Sequence, residues 1–241
     1  MKLSIIIPLY NEEKSITQLL DKVLSVQFEK HTDSYEVVIV DDCSADKSYS
    51  IVSGYIADKP QFQLFQNEKN MGKGAAVKHG VSKCSGDTII IQDADLELSP
   101  LDIPSMIKAM KDLNVEFING SRYLPGLIRP VSSFSRYWGN RLFTNLTAIL
   151  INVKITDMAC GYKLIKKSLW DQISLKENRF GFEAELIIKA LRIKKNNVAE
   201  VPVQYFPRNE GEGKKLRNSD GFKILWTIFK WGVLIPSKRQ K

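Results

Sequence analysis

Ile89-Ile90-Ile91-Gln92-Asp93-Ala94-Asp95-Leu96-Glu97, near the middle of the chain, is the stretch that decides the fold. A short, wholly apolar, β-branched run ends in three carboxylates, each two residues from the next. Such a run fits a strand buried on both faces, as strands are inside a parallel sheet. In open α/β sheets ligands bind just beyond the carboxyl ends of the strands, so Asp93, Asp95 and Glu97 fall where that architecture places chemistry. Clustered hard oxygen ligands suit Mg2+ or Mn2+, which take a few carboxylates and leave other positions to substrate phosphates. A polar turn opening the next helix is the competing reading, because Asp and Ser favour turns.

Working outward, the pattern repeats. Residues 3–7 form an apolar strand ended by Pro8, and residues 37–40 form a second that runs into Asp41 and Asp42. Asn11 is placed to cap a helix, with Glu12 and Glu13 set to favour its dipole. Ile16, Leu19, Leu20, Val23 and Leu24 then recur on one helical face. Ser44 or Asp46 can cap a helix carrying Ile51, Val52, Tyr55 and Ile56. Residues 62–65 read as a third strand, and Asn70-Met71-Gly72-Lys73-Gly74 as a flexible loop opening a small-residue helix over 75–81. Beyond the central strand come a helix after Pro100 and a fifth strand at 115–119. This alternation predicts an α/β fold, a mostly parallel sheet with helices on both faces.

After Gly120 the regularity ends. Arg122, Arg129, Arg136 and Arg141 are interleaved with Tyr123, Phe134, Tyr137, Trp138 and Phe143. A helical pattern over about 134–151 puts Arg136, Asn140, Thr144 and Thr147 on a narrow polar stripe in otherwise apolar surroundings. A second such helix lies in 216–241, with Asp220, Lys223, Thr227 and Lys230 on one stripe beside Phe222, Leu225, Trp226, Phe229 and Trp231. Both are too short in apolar length to span a bilayer. Amphipathic helices with Trp, Phe and Lys commonly lie in a membrane interface; cover for the sheet, or a dimer contact, is the alternative. The division expected is a main domain over 1–215 and a basic amphipathic helix over 216–241.

The net charge of +8 points to an anionic partner. Nothing distributes that charge as a nucleic-acid module would, so no nucleic-acid partner is expected. Cys43, Cys84 and Cys160 are scattered without metal spacing and read as reduced thiols. His31 and His79 are isolated. The chain starts directly on a strand-like run, which predicts no secretory leader and a cytoplasmic setting.

If the strands that end in Tyr10-Asn11-Glu12, Asp41-Asp42 and Asp93-Ala94-Asp95 are neighbours, one crevice holds an apolar wall for a base, carboxylates for its hydrogens and metal-bound oxygens for a diphosphate. No Gly-x-Gly-x-x-Gly follows the first strand, and Gly72-Lys73-Gly74 lacks the P-loop spacing. A receiver-type phosphoacceptor domain would also pair acids at strand ends, but the chain is about twice that size.

Ile5-Ile6-Ile7-Pro8-Leu9-Tyr10-Asn11-Glu12, Val38-Ile39-Val40-Asp41-Asp42-Cys43-Ser44 and Asp93-Ala94-Asp95 resemble family 2 glycosyltransferases of the GT-A fold. Asn70-Met71-Gly72-Lys73-Gly74, Gly120-Ser121-Arg122-Tyr123, Asp157-Met158-Ala159-Cys160-Gly161-Tyr162-Lys163, Phe182-Glu183-Ala184-Glu185 and Arg208-Asn209-Glu210-Gly211-Glu212-Gly213-Lys214 are similar to the dolichyl-phosphate mannose synthase and dolichyl-phosphate glucosyltransferase branch. Glu97 stands where many mannose synthases have Gln, and Gly213 where Ser is common. The resemblance implies a nucleotide-sugar donor of UDP-glucose or GDP-mannose type, Mg2+ or Mn2+, inversion at the anomeric carbon and a polyprenyl-phosphate acceptor at the membrane surface. It places Pro8, Tyr10, Asn11, Glu12, Asp42, Lys73 and Asp93 on the donor nucleotide, with Asp41 in support. Asp93, Asp95 and Glu97 hold the metal, and Asp93 and Asp95 with Asp157 form the catalytic set. Arg122, Arg136, Arg208 and Lys214 are the cations for the acceptor phosphate. Two alternatives stand: a transferase acting on a polysaccharide or lipid hydroxyl, which needs a general base and can nominate Asp157, and a non-catalytic nucleotide-binding membrane adaptor.

Overall fold

The structure, a computed structural model, describes residues 1–126, 133–179, 181–194, 197–208 and 218–234, apart from the side chains of 135–136 and 218–220. Strands β1 (Lys2–Leu9), β2 (Ser34–Asp41), β3 (Phe62–Gln66), β4 (Thr88–Ile91), β5 (Phe117–Ser121), β6 (Lys163–Lys166) and β7 (Val198–Pro202) form one sheet in the order β3-β2-β1-β4-β6-β5-β7. Every neighbouring pair is parallel except those of β6, which runs antiparallel between β4 and β5.

The unbroken apolar runs have a simple cause: successive side chains point to opposite faces, and both faces are covered. Ile5, Ile7, Val37, Ile39 and Ile90 pack beneath α1 (Ile16–Ser25), α2 (Ser48–Tyr55) and α4 (Ile103–Asp112). Ile6, Val38, Val40, Ile89 and Ile91 pack on the other face beneath α3 (Lys73–Lys83), α6 (Lys167–Trp170) and α7 (Phe182–Ile193). Full burial of one such side chain contributes roughly 1.5–3 kcal/mol.

Two local expectations fail for identifiable reasons. Pro8 does not end β1, which continues to Leu9 in register with β2. Ile6 O accepts from Gln92 N on the β4 side and Leu9 O from Asp42 N on the β2 side, so Pro8 presents its missing donor toward β4, where that strand has already ended. The fifth strand begins at Phe117 rather than at 115.

The region beyond Gly120, which shows no regular pattern, contains β6, α6, α7 and β7. Helix α5 (Phe134–Ile151) ends at Asn152 in the left-handed conformation, φ 52°. Its polar stripe faces inward: Thr144 and Thr147 are fully buried and Asn140 bonds Asp157. Several of its apolar residues face out, with Phe134 and Ile149 each 75% exposed and Trp138 57%, while Phe143, Leu146 and Ile151 pack inward. Helix α8 (Asn218–Phe229), continued by a π-turn over Lys230–Leu234, packs on α5 and α7 through Ile224, Thr227, Ile228 and Trp231. Phe222 and Trp226 on its other side are 78% and 59% exposed. Among the described residues no helix is long and apolar enough to cross a membrane. Cys43, Cys84 and Cys160 are all free thiols.

Candidate active site

Because β2, β1 and β4 are neighbours, the loops after them meet at the carboxyl edge of the sheet. Asn11 does not cap α1, whose first turn begins at Ile16 after Ser15. It sits at φ 49°, donates its N–H to Ser44 Oγ at 2.9 Å and accepts Ala45 N–H on Oδ1 at 2.8 Å, which ties the first loop to the second. Asp41 accepts from Ser44 and from Gln66 Nε2 at 2.9 Å. Asp42 accepts from Asn67 Nδ2 at 2.8 Å, Met71 N at 3.0 Å and Gly72 N at 2.6 Å. The second strand's acids therefore order the loop that delivers Lys73.

Lys73 reaches the acidic loop, pairing with Asp93 Oδ1 at 2.6 Å and with Glu183 at the start of α7. Burial alone would lower this ammonium, but the charges of Asp93 and Glu183 hold it well above its ordinary value. A Cβ at Gly161 would come within 2.2 Å of Asp93 Oδ2, so only glycine lets that carboxylate lie against the backbone. Asp95 accepts the Glu97 N–H on Oδ1 at 3.1 Å, and its Oδ2 has no hydrogen bond among the described residues. Burial, then the charges of Asp93 and Glu97, push its carboxyl up to about 7, against the pull of the Glu97 N–H and Arg208.

The chain after β7 returns across this loop. Glu97 accepts from Tyr205 Oη at 3.2 Å and Arg208 N at 3.1 Å, and its carbonyl accepts Phe206 N at 2.9 Å. The Arg208 guanidinium donates to Asp95 O at 2.7 Å and makes a two-pronged pair with buried Glu12, at 3.1 and 2.6 Å. Arg208 is thus already paired with a donor-side carboxylate.

Arg122 is also paired. Its Nε and Nη2 meet the fully buried Asp157 at 2.7 and 2.9 Å, and its backbone N–H adds a bond at 3.0 Å. Asn140 Nδ2 donates to the same carboxylate at 3.0 Å. Burial opposes ionisation, but the Arg122 guanidinium and these donors hold Asp157 below the usual carboxylate range. A carboxylate so held is a poor proton acceptor, which weighs against Asp157 as a general base. The side chain of Arg136 and all of Lys214 lie outside the described residues, as does Arg129.

Asp93, Asp95 and Glu97 share one short loop but do not converge. Asp93 turns to Lys73 and Glu97 to Tyr205, and among the described residues no three acids, Cys or His are arranged as a metal cage. The chemistry of the set nonetheless fits a hard divalent cation. A half-buried carboxylate destabilised by two like charges, with one oxygen unbonded among the described residues, gains most from such an ion.

Glu183, Gly161 and Asn140 carry parts of this site that the sequence did not assign. Glu183 and Gly161 stood in motifs carried only by resemblance, and Asn140 on a polar stripe whose direction the periodicity left open.

A family model described as "Glycosyl transferase family 2" matches residues 4–174. The chain is 31% identical over 230 residues to a dolichyl-phosphate beta-glucosyltransferase of Trichomonas vaginalis, covering 91% of this chain and 67% of that protein. It is 29% identical over 241 residues to a dolichol-phosphate mannosyltransferase of Pyrococcus furiosus, covering 96% of this chain and 64% of that one. Among solved structures, glucosyl-3-phosphoglycerate synthase from Mycobacterium tuberculosis with Mn2+, UDP-glucose and phosphoglyceric acid superposes with a TM-score of 0.72 at 17% identity, covering 98% of this chain and 81% of that one. TarS from S. aureus with UDP-GlcNAc gives 0.63 at 20% identity, covering 96% and 66%. At these identities the structural likeness is one of fold, and that fold is GT-A.

Proposed function

The chain belongs to glycosyl transferase family 2, and on that premise we propose that it moves a hexose, with inversion, from a nucleoside-diphosphate sugar to a polyprenyl phosphate at the cytoplasmic face of a membrane. The observation that carries this reading is the meeting of the β1, β2 and β4 loops in one acidic crevice overlain by Arg208. Pro8, Tyr10, Asn11, Glu12, Asp42 and Lys73 take the nucleotide, with Asp41 in support. Asp93, Asp95 and Glu97 would hold Mg2+ or Mn2+, which when bound neutralises charge on the departing diphosphate.

Arg122 and Arg208, with Arg136 and Lys214, serve the acceptor phosphate, and Arg208 stands beside the acidic loop where a nucleophile would meet the sugar. A phosphate monoester, with a second pKa of about 6, is already largely ionised at neutral pH and needs no strong base. This accords with an Asp157 fully engaged by Arg122, and it weighs against a hydroxyl acceptor.

The membrane surface is proposed from the outward aromatics of α5 and α8 together with the net charge of +8. The polar stripe of α5 is spent inside the protein, so its apolar side is left to face outward. Dolichyl phosphate is the acceptor named for the two relatives, and UDP the nucleotide in the two solved structures. Between UDP-glucose and GDP-mannose, the small-residue run Gly72-Lys73-Gly74-Ala75-Ala76-Val77 leans toward the glucosyl donor.

The test is a panel of UDP- and GDP-sugars with polyprenyl phosphate and the matching free polyprenol. Transfer to the phosphate with none to the alcohol is expected. Comparable rates for the two would sink the phosphate-acceptor reading.

A further inference from the structure

Resting on the donor and membrane readings above, we propose that residues 176–179 together with Gly181 couple helix α8 to the donor loop, with Glu177 as a positioning residue. Seating α8 on an anionic lipid surface thereby tightens nucleotide binding.

One side of this segment grips the donor loop. Asn178 O accepts from Ala75 N at 3.2 Å in the first turn of α3, and Asn178 Oδ1 accepts from Lys78. Gly72, at φ 99°, lies so close that a Cβ there would sit 2.6 Å from both Asn178 O and Arg179 Cγ. Arg179 Nη2 reaches Asn70 O at 3.4 Å. This is the loop whose N–H groups bind Asp42 and whose Lys73 spans Asp93 and Glu183.

The other side grips the surface helix. Glu177 Oε1 accepts from Lys230 Nζ at 2.8 Å and Trp231 Nε1 at 3.3 Å. A Cβ at Gly181 would come within 2.6 Å of Thr227 Oγ1. Beneath, the fully buried Glu185 carboxylate accepts the N–H groups of Lys176 and Glu177 and pairs with Lys189, whose ammonium lies 3.5 Å from the centre of the Trp231 ring. The segment is thus fixed at its start, and its contacts to α8 and to the donor loop join two surfaces that meet solvent. Lys230, on the polar stripe of α8, is spent on this contact.

A lipid surface that takes up Phe222, Trp226 and Phe229 fixes α8. A fixed α8 holds residues 177 and 181, and these hold the loop that the nucleotide must otherwise order at its own cost. The linkage is reciprocal, so bound nucleotide tightens vesicle binding by the same factor.

The test uses the full chain with Mn2+, titrated calorimetrically with UDP and with GDP, with and without vesicles of equal parts phosphatidylcholine and phosphatidylglycerol. Vesicles should tighten nucleotide binding about fivefold or more, the lower range of ordinary coupling between sites. Glu177→Ala should sediment with vesicles and bind nucleotide in their absence as the parent does, yet lose that gain. Glu177→Gln, which still accepts both donors, should restore part of it. Should Glu177→Ala fail to fold, Trp231→Phe removes one of the two donors and should halve the gain or more. Equal affinity with and without vesicles, in a parent chain that binds both, overturns the coupling alone. An undiminished gain in Glu177→Ala and Trp231→Phe overturns the role of Glu177. Failure to sediment, or to bind either nucleotide, overturns the membrane or the donor reading respectively, and the coupling with it.

Discussion

Two aspartates in this molecule, one half-buried and one fully buried, have opposite fates. Asp95 lies in a loop of like charges, and its carboxyl is pushed up to about 7 by burial, Asp93 and Glu97. Asp157 is more deeply buried, yet the Arg122 guanidinium and Asn140 keep it below the usual range. Burial acts the same way on both; the partner decides. A carboxylate with its own cation is a fixed structural post. One crowded by other carboxylates calls for a cation from outside the chain.

The largest effect that would break this contrast is on transfer. Asp95→Asn removes the negative charge the incoming cation meets, and should lower the transfer rate by roughly 10²–10³-fold or more, the scale of losing one electrostatic stabiliser. Circular dichroism should show the fold retained; full activity in this variant, or in excess chelator, would overturn the metal role.

Asp157→Asn should strike stability instead. It takes the charged partner from a largely buried guanidinium, at a cost of up to roughly 3–5 kcal/mol measured by denaturant unfolding. A variant of unchanged stability would mean that Arg122 finds another partner.

Acid and neutral pH should separate the two residues without mutation. In the metal-free chain Asp95 takes up protons between the unfolded value of about 3.9 and the folded value of about 7, so its contribution to stability is lost as pH rises through that window. Asp157, depressed in the fold, contributes stability above the unfolded value and loses it as pH falls toward its folded one. Asp95→Asn should flatten the decline toward neutrality and leave the acid limb; a parent Tm that rises steadily from pH 4 to 7 would contradict the crowding.

The smallest change is Glu97→Gln. It keeps an acceptor for the Arg208 N–H and turns an amide donor to the Tyr205 hydroxyl, but removes one of the charges crowding Asp95. The pH midpoint for Mn2+ binding should move below about 7, and an unmoved midpoint would assign the shift to burial and Asp93.

The first five strands and the crevice were legible because a strand covered on both faces must be apolar throughout, and its polar ends then stand out. The antiparallel β6 was hidden: Lys163-Leu164-Ile165-Lys166 is too short and too charged to read as a buried strand, though Lys163 is fully buried. Helix α7 was hidden for the reverse reason. It buries most of its circumference, including Glu185, and so carries no clear apolar stripe. Outward apolar faces on α5 and α8 were one of two readings the sequence left open, the other being cover for the sheet or a dimer contact. That the polar stripe of α5 faces inward was not foreseen, since periodicity gives two faces and does not say which one is buried.

What the sequence determined by itself is the class of the fold and where its acids gather, since both follow from local patterns of burial along single strands. Which charges neutralise one another was decided only by the tertiary structure. Glu12 meets Arg208 across 196 positions, Lys73 meets Glu183 across 110 and Asp157 meets Arg122 across 35. No pattern along the chain encodes such pairs. They form because parallel strands bring distant loops to one edge of a sheet, where a buried charge is tolerated only beside its opposite.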